Sequence, residues 1–136
     1  MHKILDNLAT HGLGENILLG NRENKTGMIL APGRMNNDWY IVDVRDMIDH
    51  GGNSIAMYKK KIFTVVAYLL ENKCVVICCG AGQSRSNAIA IGVLVDRFGM
   101  SFYDALEFVK EKVPICNIDH SHIDALKKTF DVKMSY

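Results

Sequence analysis

The chain has 136 residues, 49% hydrophobic and 23% charged, which is enough apolar material for one buried core without cross-links. Sixteen basic residues stand against 15 acidic ones for a formal net charge of +1, a balance that argues against broad nucleic-acid or membrane binding. No apolar run nears the roughly 18 residues of a membrane span, and no basic region followed by a hydrophobic segment opens the chain, so a cytoplasmic protein is expected, one domain over residues 1–136 and a monomer.

Taken in order, residues 3–10 carry a helical apolar pattern in Ile4, Leu5 and Leu8, closed by Gly12. Residues 17–19 and 28–30 read as short strands about the turn-rich 20–27, and 31–37 as a loop containing Pro32 and Gly33. A strand follows at 39–44. Residues 54–71 form a helix with Ile55, Ile62, Val66 and Leu69 on one stripe. The run 74–78 is short, apolar and β-branched, as befits a strand buried on both faces of a parallel sheet. Residues 86–98 are apolar on most sides of a helix, which should be central, and Gly99 ends it. Two amphipathic helices close the chain at 101–112 and 121–130, each opened by a serine with an aspartate three positions later. Strands alternating with helices predict an α/β fold, a central mostly parallel sheet flanked on both sides by helices.

Several residues suggest chemistry but have plainer readings. Lys59, Lys60 and Lys61 should be a solvated helix face. His120 and His122, near Asp119 and Asp124, are better explained by helix capping and surface polarity than by a metal. Tyr58, Trp39 and Tyr40 read as packing residues, the alternative being that one of them lines the mouth of a site for an aromatic ring. Four cysteines without a secretion signal are expected to be reduced thiols, with Cys74 and Cys78 on one face of their strand and Cys78 a buried small hydrophobe. Cys78, Cys74 or Cys116 would be the candidate to capture an oxidised Cys79.

The segment Cys79-Gly80-Ala81-Gly82-Gln83-Ser84-Arg85-Ser86 is the informative one. It joins the buried strand to the central helix through a sharp turn that its glycines permit. Backbone N–H groups of Gly80, Ala81, Gly82, Gln83 and Ser84 would face inward at a helix N-terminus, a ready site for an anion. Arg85 can hold two phosphate oxygens with its planar fork. Cys79 lies beneath them, where amide dipoles and a guanidinium favour the thiolate.

These residues resemble the Cys-x5-Arg-Ser/Thr signature loop of the cysteine-dependent protein tyrosine phosphatase superfamily, in particular its compact dual-specificity group. The likeness extends over about residues 39–130. Residues 112–117 also loosely resemble the family's Pro-x-x-x-Pro-Asn stretch, with Lys112 and Cys116 in place of the prolines, and Cys78 stands where the family has histidine. The resemblance implies nucleophilic attack by Cys79 on phosphorus, a cysteinyl-phosphate intermediate and hydrolysis by water. It also gives Ser86 a hydrogen bond to the departing thiolate, the alternative being a helix N-cap. A carboxylic acid must protonate the leaving oxygen and then act as base. Asp49, Asp46 and Asp43 qualify by position. Asp49 opens Asp49-His50-Gly51-Gly52-Asn53, which resembles a loop of some family members, Asp46 directly follows a strand, and Asp43 lies within it. His50 either tunes the acid or is an exposed turn residue.

No cofactor or metal is called for, because Arg85 and the amides can neutralise the phosphate charge. Phosphotyrosine, with phosphoserine and phosphothreonine, in protein substrates is the expected target. The alternatives are a non-catalytic phosphopeptide-binding module, or a phosphoinositide or RNA 5'-phosphatase using the same loop. A sulfurtransferase reading has only the faint likeness of residues 41–45 to support it.

Overall fold

The computed structural model describes residues 1–14 and 39–132. The expected strands at 17–19 and 28–30 and the loop at 31–37 lie outside the described residues.

The chain begins with strands β1 (His2–Leu5) and β2 (Leu8–Gly12), not with a helix. Ile4, Leu5 and Leu8 fit a helical stripe, but Asp6 and Asn7 between them are turn formers, and Leu5 pairs with Leu8 across an antiparallel hairpin. Leu8, Ala9 and Thr10 are all fully buried, because β2 is an interior strand. Uninterrupted burial of this kind hides the alternation that marks a strand.

Next come β3 (Tyr40–Asp43), α1 (Ile55–Leu70) and β4 (Val75–Cys79). The sheet order is β1-β2-β4-β3, with β2 and β3 both parallel to β4. Parallel neighbours need a crossover, which α1 supplies between β3 and β4. Its N-cap is Ser54, whose Oγ accepts from Met57 N at 3.1 Å. α2 (Arg85–Phe98) follows β4 and ends at Gly99, φ 69°. α3 (Phe102–Lys112) is capped by Ser101 as the sequence indicates. α4 (His120–Thr129) differs, because Asp119 is its N-cap and Ser121 lies inside the first turn, donating through N to Asp119.

Side chains alternate across β4. Val75, Ile77 and Cys79 enter the larger apolar cluster, to which all four helices contribute, while Val76 and Cys78 enter a smaller one with Ala9, Leu13, Trp39 and Ile41. Among the described residues, helices therefore cover one face of the sheet and not both. Cys74 packs against the smaller cluster with Cys78, as the strand period requires. Trp39 is buried there, and Tyr40 stacks obliquely on Tyr68 with ring centroids 5.1 Å apart, so both are packing residues. Among the described residues no helix is long and apolar enough to cross a membrane.

The three parallel strands end at one edge, at Gly12, Asp43 and Cys79. The carboxyl edge of a parallel sheet is where α/β folds place ligands.

Candidate functional site

The signature loop leaves β4 at Cys79 and enters α2 at Arg85. Its carbonyls are held from outside. Leu13 N donates to Cys79 O at 2.8 Å, Gly14 N to Gly80 O at 2.9 Å, and Asn117 N to Gln83 O at 2.9 Å. Asn87 Nδ2 donates to Gly82 O at 3.0 Å and to Gln83 O at 3.1 Å, while its Oδ1 accepts from Thr10 Oγ1 at 2.8 Å. Thr10 and Asn87 are wholly buried. The loop also presses on the end of β2. A Cβ on Gly12 would lie 2.7 Å from Ala81 C and O, and one on Gly82, at φ 74°, would lie 2.7 Å from Gly12 N. Two glycines are needed for that approach.

Cys79 is 2% exposed, and its Sγ is 3.2 Å from Ser86 Oγ, within hydrogen-bond range for sulfur. Ser86 is buried in the first turn of α2 and does not cap it; the N-cap position is Ser84, whose Oγ instead accepts from Asp119 N at 2.9 Å. Arg85 is 8% exposed and is positioned by its own Nη1, which donates to Arg45 O at 3.0 Å and Met47 O at 3.1 Å. Those carbonyls belong to the segment after β3, so the guanidinium ties that segment to α2. Arg85 Nε faces Asp49 Oδ1 at 3.7 Å.

The three aspartates have separate fates. Asp43 is clamped by Arg45, with Nη2 to Oδ2 at 2.7 Å and Nε to Oδ1 at 3.0 Å, and Arg45 Nη1 reaches Gly14 O at 2.8 Å. Burial pushes the Asp43 carboxyl upward, but these bonds outweigh it and hold it below its ordinary value. Asp46 points to solvent and pairs with Lys61, Nζ to Oδ1 at 2.8 Å. Lys61 thus departs from the solvated face, which Lys59 and Lys60 keep. Only Asp49 is brought to Arg85. Its loop is closed by Asn53, whose Oδ1 accepts from Ile48 N at 2.8 Å and whose Nδ2 donates to Ile48 O at 2.6 Å, and it turns at Gly51 and Gly52 with φ 107° and 88°.

A histidine the sequence reading placed at the surface proves to be interior. His122 is fully buried, 2.6 Å from the Tyr58 hydroxyl through Nδ1, and its Nε2 is 3.7 Å from Asp49 Oδ1. Its spacing of four residues from Leu126 on the inner stripe of α4 was the signal that could have found it. His50 is exposed, between Asp49 Oδ2 at 3.7 Å and Asp119 Oδ1 at 3.2 Å. Asn87 and Thr10 were also missed. A lone amide in an otherwise apolar helix is itself a signal, since a buried polar group needs partners. Cys78 is enclosed in the smaller cluster, and burial pushes its thiol up to about 12. Cys116 is pushed up to about 11 by burial as well. Neither is a ready thiolate.

No family model matches the chain. A 44-residue stretch is 51% identical to human dual specificity protein phosphatase 16, covering 32% of this chain and 7% of that much longer protein. Among solved structures, human DUSP28 matches with a TM-score of 0.75 at 16% identity over 96% of each chain. Tk-PTP in its active form matches with a TM-score of 0.58 at 23% identity, over 64% of this chain and 59% of that one. PTPMT1 in complex with PI(5)P matches with 0.57 at 23% identity, over 62% and 55%. The fold is that of the tyrosine and dual-specificity phosphatases.

Proposed function

We propose that this chain, built on the fold of tyrosine and dual-specificity phosphatases, is a cysteine-dependent phosphomonoester hydrolase acting on phosphotyrosine, and on phosphoserine and phosphothreonine, in proteins. The observation that carries the reading is the placement of Cys79 against Ser86 at the foot of a loop whose carbonyls are taken by scaffold donors, with Arg85 and Asp49 at its rim. Carbonyls turned to the scaffold leave the loop amides for an oxyanion.

In this mechanism the Cys79 thiolate attacks phosphorus in line while Asp49 gives its proton to the leaving oxygen. The S–P bond forms as the P–O bond breaks. Water, deprotonated by Asp49, then attacks the cysteinyl-phosphate, and Ser86 donates a hydrogen bond to the thiolate as it leaves. Arg85 and the loop amides carry the phosphate charge throughout. Asp46 is set aside because Lys61 holds it, and Asp43 because Arg45 does. A binding module without catalysis fits less well, because such a module has no use for a nucleophile paired with a hydroxyl or for a carboxylate against the arginine.

Hydrolysis of p-nitrophenyl phosphate in EDTA tests the reading. Cys79→Ser is expected to abolish turnover that the reduced wild-type protein shows, assayed from about pH 5 to 8. Activity that survives in Cys79→Ser would overturn the mechanism. Phosphopeptides and a phosphoinositide assayed side by side then fix the substrate, with faster turnover of phosphopeptides expected.

A further inference from the structure

Asp49 Oδ1 and His122 Nε2 are buried polar atoms that face each other at 3.7 Å and make no hydrogen bond. Two such atoms in contact range are expensive in a folded protein unless another state of the site joins them. The other ring nitrogen of His122 is fully engaged. Tyr58 Oη lies 2.6 Å from Nδ1, where either group can donate, but Nε2 faces a carboxylate oxygen, which only accepts, so the tautomer with its hydrogen on Nε2 serves both contacts and the Tyr58 hydroxyl donates. Nδ1 is then the acceptor and Nε2 carries the N–H that points at Asp49.

We propose that Tyr58 and His122 form a positioning pair that presents a neutral N–H to Asp49 and so sets the carboxyl for proton donation. The proposal rests on Asp49 being the acid. Arg85 Nε approaches the same oxygen, Oδ1, also at 3.7 Å. A phosphate dianion bound by Arg85 would offset the guanidinium charge and leave His122 as the uncharged neighbour of Oδ1. A cation opposes protonation of a neighbouring carboxylate more strongly than an uncharged donor does, and an uncharged N–H can stay bonded to the carbonyl oxygen of the protonated acid. The N–H on Oδ1 leaves Oδ2 to carry the proton.

The groups around the imidazole fit this division. Asp49 faces it from the loop and Tyr58 from α1, Arg85 from α2 and His50 both approach Asp49, and Asp119 lies at the cap of α4. Burial lowers the imidazole below its ordinary value against the pull of Asp49 and Asp119, which keeps it uncharged at neutral pH.

The test compares aryl phosphates of rising leaving-group basicity, p-nitrophenyl to phenyl phosphate, with pH profiles of kcat/KM. A missing acid hurts poor leaving groups most. Asp49→Asn sets the scale, with an expected loss of ~10²–10⁴-fold on phenyl phosphate and much less on p-nitrophenyl phosphate. His122→Leu is expected to lose about tenfold, a fraction of the general-acid effect, on phenyl phosphate and little on p-nitrophenyl phosphate. Tyr58→Phe, nearly isosteric, should move the same way by less, and His122→Gln, which keeps a donor, should recover most of the loss. Thermal unfolding of each variant checks the fold, and Tyr58→Phe keeps the test decisive if His122→Leu does not fold. An unchanged or uniform response in the His122 and Tyr58 variants beside a steep one in Asp49→Asn overturns this proposal alone. A flat response in Asp49→Asn overturns the acid assignment, and the positioning pair with it.

Discussion

Asn87 reaches the signature loop through Gly82 O and Gln83 O and the sheet through Thr10, so one amide fixes the loop to β2. Replacing it by alanine strands two buried groups, Thr10 Oγ1 and Gly82 O, at about 1–3 kcal/mol for each left without a partner, while Gln83 O keeps its bond from Asn117 N. Asn87→Ala is therefore expected to lower both the urea midpoint and the turnover of p-nitrophenyl phosphate. Thr10→Val strands only Asn87 Oδ1, and should cost stability while keeping most of the turnover, since both loop bonds remain. Equal loss of turnover in the two would show that the loop does not depend on those bonds. The turn between β4 and α2 was legible in the sequence because its glycines and the change from strand to helix pattern lie within eight positions. Asn87, Thr10, Tyr58 and His122 were not, because each takes its meaning from a partner far along the chain, 64 positions away for Tyr58 and His122 and 77 for Thr10 and Asn87.

Helices α1 and α2 meet where Gly92 lies under Ile62. A Cβ on Gly92 would fall 2.3 Å from Ile62 Cδ1 and 2.8 Å from Cγ1. Alanine is the better helix former by about 1 kcal/mol, but overpacking a tight contact costs roughly 1–3 kcal/mol, so the clash should win. Gly92→Ala is expected to destabilise the protein, and Gly92→Ala combined with Ile62→Val to be less destabilised than the sum of the single changes by ~0.5 kcal/mol or more, read from urea titrations. Strict additivity would place the strain elsewhere. Elements such as α1 and α3 were readable because an apolar stripe and a capping serine agree at both Ser54 and Ser101. At 121–130 the serine pattern misled by two positions, since Asp119, bound to Ser84, starts the helix. The first hairpin failed for a different reason: apolar residues on an interior strand have no period to display.

Across the whole molecule, Asp119 joins α4 to the loop and to His50. Its carboxyl accepts from Ser121 and from His50, which holds it at about 2 against 3.8 for the free group. A depressed value means that the folded state binds the proton less readily than the unfolded one. The contribution to stability is thus full above about pH 4 and lost as pH falls toward 2. Asp119→Asn should keep the cap but lose this charge, so the melting-temperature gap to wild type is expected to be widest near neutrality and to close between about pH 4 and pH 2. A gap that does not vary with pH would remove the charge from the account. The same joint shows how widely the loop is anchored. Leu13 and Gly14 grip it from one side, Asn117 and Asp119 from another, and Arg85 locks onto the carbonyls of Arg45 and Met47. The eight residues from Cys79 to Ser86 are consequently not a portable cassette: grafted onto another strand-to-helix junction they would bring the cysteine and the arginine but none of the donors that give the turn its shape.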